Sequence, residues 1–449
     1  MMCAAFWAAA GAPSAPSAQT AGAPRAASNA GTFLVFPFEN GSRLANLDWL
    51  GEGLAELTTE RLEDRGLNVL SRRERLAALE KIGLPDSARF SHATMVKLAA
   101  EADADDVIYG RFISDGKTVT IEAHVLHISP PRLSAAFTQT GAMQFLLRAH
   151  ARLSWQLLCA IDGHNCLAEG ANQDESSFSE PPASLRLDAL ENFVRGLTGT
   201  DDEARLRVLR EAARLEPAWD RPAYELGQTY FARHDCESAL PWFSRVPPNR
   251  PDGPESSFDT GVCHLARNDP ARAEAAFAGL IERTKSGEPR DRLPEMAEVH
   301  NNLGVARLRL SKWTEAAAEF ERATALDEGE PDYWVNLSIA KLAGKLPATA
   351  VTPLERARKI APDDKDARAL LISTLESLGR GSEAAAIRAE APPTAGRAAE
   401  AIPQDPASVV RLARVSRSFD RSLLRSTGED PAAPAGKAPR KSDGAGERR

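Results

Sequence analysis

The chain has 449 residues, of which 43% are hydrophobic and 26% charged, with a net charge of −8 and a mean hydropathy of −0.33. That length exceeds one compact core and suggests roughly two to four folding units. No run of about 18 apolar residues is present to span a bilayer. Residues 411–449 hold ten Lys/Arg against five acids, which leaves −13 on the rest of the chain and argues against a body built to bind nucleic acid.

In chain order, residues 1–31 form an Ala/Pro-rich leader with the character of a partial signal segment, although no basic stretch precedes the short apolar run Ala4–Ala10. The run Thr32–Phe38, stopped at Asn40-Gly41, reads as a buried strand. An apolar stripe through Leu47, Leu50, Leu54, Leu57 and Leu62 marks a helix that ends at Gly66, and Leu67–Leu70 is a second strand. A strand, a helix and a strand in that order favour parallel pairing. Helices over 73–82 and 92–102 follow. Next comes a hairpin of Asp106–Ser114 and Thr118–Ser129 about Asp115-Gly116-Lys117, then a strand near Leu133–Thr140 and a closing helix over 145–161. Residues 32–161 therefore describe one α/β domain.

The segments VFPFEN (35–40), WLGEGLAELTTERL (49–62), NVLSR (68–72), LAAEADADDVIYGRF (98–112) and TVTIEAHVLHI (118–128) resemble the TolB-N/CsgG/FlgO-like domains of bacterial envelope proteins. The resemblance implies a non-catalytic α/β module of envelope or regulatory assemblies. It supplies no catalytic residues to carry over.

Residues 162–184 are an aperiodic linker rich in Asn, Ser, Glu and Pro. Cys159 and Cys166 bracket its start and form a disulfide candidate if the protein is exported. Over 185–391 a 34-residue phase appears. Phe193, Gly227, Gly261, Gly304, Ser338 and Ile372 share one position, with a single nine-residue insertion placed in 285–293. Ala239, Ala273, Ala316, Ala350 and Ala384 fall twelve residues later in five of the six units, and Phe243, Phe277 and Phe320 four beyond those. This pattern resembles tetratricopeptide (TPR) repeats. It implies an all-α solenoid of six helix pairs whose concave face binds a peptide or helix of a protein partner.

On that face the chain lacks the Lys/Asn clamp of chaperone-binding relatives. Leu190, Tyr224, Phe258 and Val335 make it apolar, while Glu255, Glu298, Asp332 and Asp366 give it an acidic edge. Asn302 and Asn336, one repeat apart, resemble an asparagine ladder for an extended backbone, and with Tyr224 and Arg221 they are the candidate peptide-binding residues. Beyond the stack, the stripe Val409, Leu412, Val415, Phe419 and Leu423 reads as a capping or docking helix within 392–425, followed by a basic tail, 426–449.

Catalytic patterns fail on context. Gly110 to Thr118 has five residues between its glycines instead of four and bridges two strands, where a phosphate loop must lead from strand to helix. His124 and His127, three apart on a strand, face opposite ways. No metal, cofactor or enzymatic chemistry is expected. The expectation is a non-enzymatic protein-interaction scaffold of the cell envelope, periplasmic or peripherally membrane-associated, with no nucleic-acid partner. The alternative is a cytoplasmic regulatory adaptor with the same domain pair.

Overall fold

The computed structural model of the chain describes residues 31–85, 90–161, 178, 185–286, 292–390 and 405–428. The leader, all of the linker 162–184 but Phe178, the centre of the insertion, and the tail beyond Gly428 lie outside these residues. So does Cys166, and with it the Cys159–Cys166 pairing.

The N-terminal unit is one mixed sheet with helices. Its strands are β1 (Thr32–Val35), β2 (Glu39–Asn40), β3 (Asn68–Leu70), β4 (Asp106–Ser114), β5 (Thr118–His127), β6 (Arg132–Leu133) and β7 (Phe137–Ala142). The order is β3-β1-β4-β5-β6, with β2 beside β4 and β7 beside β5. β1 pairs in parallel with both β3 and β4. The crossover between β1 and β3 is helix α1 (Trp49–Glu63), whose apolar side buries Leu50, Leu54 and Leu62. Helices α2 (Arg72–Lys81) and α3 (His92–Glu101) pack Leu79, Leu98 and Ala99 with Leu34, Phe36 and Val107, and α4 (Leu146–Ile161) closes the opposite side.

The hairpin β4–β5 is antiparallel and turns at Gly116, whose φ of +89° suits glycine. The Asp115 carboxylate accepts the Lys117 and Thr118 N–H groups at 2.8 and 2.7 Å. Gly110 lies mid-strand, where a Cβ would meet the Glu122 carbonyl oxygen at 2.2 Å. Its lack of a side chain therefore serves sheet packing, and this accounts for the phosphate-loop-like pattern. The strand expected over 133–140 is split into β6 and β7.

His150 is fully buried between α1 and α4. The Thr58 hydroxyl gives its one hydrogen to the Leu54 carbonyl at 2.8 Å, so it accepts from His150 Nε2 at 2.9 Å. Burial, reinforced by the Arg61 charge, holds the imidazole neutral and lowers its pKa to about 3.

Six antiparallel helix pairs follow: α5 (Leu187–Thr198) with α6 (Asp202–Leu215), α7 (Arg221–Ala232) with α8 (Cys236–Phe243), and α9 (Gly253–Ala266) with α10 (Pro270–Thr284). Then come α11 (Ala297–Arg309) with α12 (Trp313–Leu326), α13 (Pro331–Ala343) with α14 (Pro347–Ile360), and α15 (Lys365–Ser377) with α16 (Gly381–Ala389). The steric logic recurs from pair to pair. A Cβ on Gly227, Gly261 or Gly304 would sit 2.5–2.6 Å from the ring of Phe243, Phe277 or Phe320. The first helix thus gives up its side chain where the aromatic of the second presses in. The alanines at 239, 273, 316, 350 and 384 have no exposed surface and let the pair close.

Sequence spacing gave no sign of the disulfide between Cys236 on α8 and Cys263 on α9, with Cα atoms 5.1 Å apart. It joins the second pair to the third and closes a loop of 27 residues. Replacing both cysteines by serine is expected to cost about 2–4 kcal/mol. The check is a lower urea midpoint than the oxidised parent, with the reduced parent shifting the same way.

The region expected to be a capping or docking helix is different in the structure. Helix α17 (Pro406–Val410) is capped by Asp405, whose carboxylate accepts the Ser408 N–H at 3.0 Å, and then stops. Residues 413–420 are neither helix nor strand, and a 3-10 turn covers Arg421–Gly428. The apolar residues spaced by three and four do not line a helix. Val409, Val410, Leu412, Val415 and Phe419 pack against the core of the repeats, and the backbone between them is taken up by other partners.

Candidate functional site: the concave groove and the domain junction

The concave side of the stack holds residues 412–421 of the same chain. Extended residues two apart present N–H and C=O on the same side, and a primary amide can answer both. Asn336 donates to the Arg414 carbonyl at 2.7 Å and accepts the Arg414 N–H at 2.8 Å. Asn302 does the same for Ser416, at 2.9 and 2.8 Å. Asn301 fills the interval, donating to the Arg414 carbonyl at 3.1 Å and to Ser416 Oγ at 3.0 Å, while its own oxygen accepts from Asn336 at 2.8 Å. All three asparagines have no exposed surface, so these bonds satisfy amides that would otherwise be costly to bury.

The acidic edge takes the side chains. Arg414 is held by Asp332 at 2.6 Å and by Asp364 through two bonds at 2.6 and 2.9 Å. Burial works against the Asp364 charge, but the Arg414 guanidinium outweighs it and keeps the carboxyl below its ordinary range. Glu298 accepts the Asp420 N–H at 2.9 Å. Phe419 lies against Phe258 with ring centroids 5.4 Å apart, and Arg417 covers the Phe231 ring at 5.6 Å. Arg421 reaches Asp252 at 2.8 Å and Glu255 at 2.9 Å. The segment therefore runs antiparallel to the order of the repeats, from the fifth pair back to the third.

Tyr224 and Arg221 divide. The Tyr224 hydroxyl donates to Glu255 at 2.7 Å and lies 3.3 Å from Arg421, so it borders the segment. Arg221 bridges the two units, meeting Glu56 at 2.6 Å and Glu63 at 3.7 Å on α1 and, at 3.9 Å, the same Asp252 of the repeats that holds Arg421. The first pair is covered by α1, where Gly53 would place a Cβ 3.3 Å from Val194, so the face that Arg221 occupies is an interdomain contact.

That junction is an ionic cluster. Arg250 links Glu60, Asp64 and Asp220 at 3.1, 2.6 and 3.0 Å. Arg73 of α2 meets Glu255 at 2.7 Å and the Tyr224 hydroxyl at 3.2 Å. Burial disfavours the Arg221 charge, yet Asp252, Glu56, Glu60 and Glu63 hold it firmly protonated. Glu63 is the loose member. Burial pushes its carboxyl up to about 8, and its Oε2 has no hydrogen-bond partner. A cavity of about 140 Å³ opens here, lined by Glu56, Glu63, Arg73, Arg221, Tyr224, Asp252 and Arg421 among others.

No group of three or more His, Cys, Asp or Glu able to hold a metal is found among the described residues. His124 lies 3.2 Å from Glu122, while His127 pairs with Asp106. No helix among the described residues is long and apolar enough to cross a membrane.

The sequence points to Asn302, Asn336, Tyr224 and Arg221 at the groove, and nothing in it singles out Asn301, Asp364 or Asp252. One signal was in view: an acidic groove edge and a run of arginines at 411, 414, 417 and 421 on the same chain.

A tetratricopeptide repeat family model matches residues 224–289 and 258–331, while no curated protein matches the chain significantly by sequence. Among solved structures, YrrB, described as a TPR protein with an unusual peptide-binding site, is 18% identical with a TM-score of 0.34, covering 40% of this chain and 90% of its own. PilW, described as a type IV pilus biogenesis factor, is 16% identical with a TM-score of 0.38, covering 48% and 98%. The LpoB C-terminal domain from Salmonella enterica is 14% identical with a TM-score of 0.21, covering 25% and 82%. The chain carries tetratricopeptide repeats behind an N-terminal unit built on a sheet.

Proposed function

We propose that this protein is a non-enzymatic interaction scaffold whose tetratricopeptide groove takes an extended segment of a partner protein. The observation that carries this reading is the seating of residues 412–421. A polypeptide lies extended in the groove, its main chain gripped by Asn302 and Asn336 and its arginines by the acidic edge. A backbone clamp with pockets for alternate side chains is a recurring way of reading extended peptides.

The envelope is the compartment we favour. A buried disulfide persists in oxidising surroundings, and Cys236–Cys263 lies inside the repeat core. The TolB-N/CsgG/FlgO-like resemblance of residues 32–161 points the same way.

Replacing Asn302 and Asn336 together by alanine removes four main-chain hydrogen bonds, each worth about 1 kcal/mol. Capture of a partner from the native host is expected to fall by about tenfold or more, with helicity by circular dichroism unchanged. Undiminished capture by a fully helical variant that also carries R414A, so that its own segment no longer competes, would sink the groove as the binding site.

A further inference from the structure

The occupant of the groove belongs to the chain itself, and the chemistry of its seat says what could replace it. Asn302 and Asn336 touch only main-chain atoms of residues 414 and 416, so they ask for an extended backbone and no particular side chain. Selection rests on two acidic pockets, Asp332 with Asp364 for Arg414 and Asp252 with Glu255 for Arg421, together with the Asn301 amide on the Ser416 hydroxyl. Phe419 seats on Phe258 between them. Bidentate pairing of a planar guanidinium with carboxylate, as at Asp364, does not transfer to lysine.

Val409 is buried against the repeat core, but the segment beyond it lies over the repeats. Arg414 keeps 22% of its side-chain surface exposed, and residues 411–424 are half-buried or exposed, while the helix pairs beneath close on their own Gly–Phe and alanine contacts.

We infer that residues 405–424 are a displaceable intramolecular occupant that shuts the groove. The partner segment that displaces them is an extended basic stretch with two arginines at the spacing of 414 and 421 and a large apolar residue just before the second. This rests on the groove reading above and adds what the groove selects and how access to it is controlled. A tethered occupant competes at an effective concentration on the order of millimolar, and any fraction of time it holds the seat lowers the apparent affinity of a partner in proportion. Arg421 also shares Glu255 with Arg73 of the N-terminal unit, so an incoming arginine must restore a charge that the domain junction uses as well.

The test uses the full chain and a fluorescein-labelled synthetic peptide of residues 405–424, followed by anisotropy. The R414A/R421A chain is expected to bind the probe at least about tenfold more tightly than the parent, because its own segment no longer competes. R414A alone, which leaves the junction intact, is expected to shift the affinity in the same direction. A probe with both arginines replaced by alanine is expected not to bind. Equal affinity of parent and variants, or binding by none of them, would overturn the inference.

Adding N302A/N336A to the R414A chain separates the two readings. Loss of the probe is expected. Undiminished binding would overturn the groove as the peptide site, whereas Asn-dependent binding that is equal in parent and R414A would overturn only the occlusion. Sedimentation of the parent is expected to show a monomer, and dimers that vanish in R414A would overturn the intramolecular form by placing the segment in the groove of a second copy.

Discussion

Replacing Phe277 by alanine is expected to cost about 3–5 kcal/mol, read as a lower urea midpoint with helicity lost from the repeat stack. The ring has no exposed surface, occupies the space vacated at Gly261, and contacts Phe258 with centroids 5.7 Å apart. Truncation therefore opens a cavity at the centre of a solenoid in which each unit depends largely on its neighbours. Gly261→Ala tests the same contact from the other side. Its Cβ would lie 2.5 Å from the Phe277 ring, and the expected cost is smaller, about 1–3 kcal/mol, from overpacking. A Gly261→Ala chain as stable as the parent would show that the close approach is not required.

Replacing Arg221 by alanine is expected to cost about 3–5 kcal/mol, since it strands buried carboxylates without their counter-charge. Glu56 at 2.6 Å loses its direct partner, and Glu63 and Asp252 lose a nearby charge. Because these groups bridge α1 and the repeats, calorimetry is expected to show one transition for the parent and two for the variant, the sheet-containing unit separating from the stack. The pH dependence has a definite sign. Glu63 titrates near 8 in the folded chain against 4.5 ordinarily, so between those values the folded state binds more protons than the unfolded. Its contribution favours folding below pH 4.5 and is lost as pH rises through about 8. Without Arg221 the stranded carboxylates gain more from protonation, so the cost of the substitution is expected to shrink as pH falls from 8 toward 5. A cost that stays constant or grows over that range would refute this account.

How much of this was legible in the sequence depends on whether a contact repeats. The glycines at 227, 261 and 304 and the aromatics at 243, 277 and 320 answer one steric demand at a fixed period, so their phase announces helix pairs before any coordinate is known. β1, α1 and β3 were equally readable, since a strand, a helix and a strand leave few ways to pair.

The stripe Val409, Leu412, Val415, Phe419, Leu423 misled for a physical reason. Its spacing suits a helix, but a helix needs the main-chain groups of Arg414 and Ser416 for its own bonds, and Asn336 and Asn302 take them. That competition joins positions 78 and 114 residues apart and has no local signature. The interdomain contacts of Arg221 were hidden for a similar reason: the sequence cannot show that α1 covers the first pairs, so that Arg221 meets Glu56 and Glu63 as well as Asp252, which also holds Arg421. Cys236 and Cys263 pair across two repeats, in a geometry that their separation of 27 does not encode.

The placing of the two arginine anchors has a mechanical side. A solenoid bends by small rotations summed over its units, but here the units are not equally free to rotate. The first pairs are buttressed by α1, and the second and third are riveted by Cys236–Cys263, so the stack has a stiff base. The fourth to sixth pairs have neither brace among the described residues and make up an arm beyond that base. Arg421 is fastened at the base, to Asp252 and Glu255, and Arg414 on the arm, to Asp332 and Asp364. The extended stretch between them is a tie-rod of fixed length, and whatever occupies that seat sets how far the arm curls over the base.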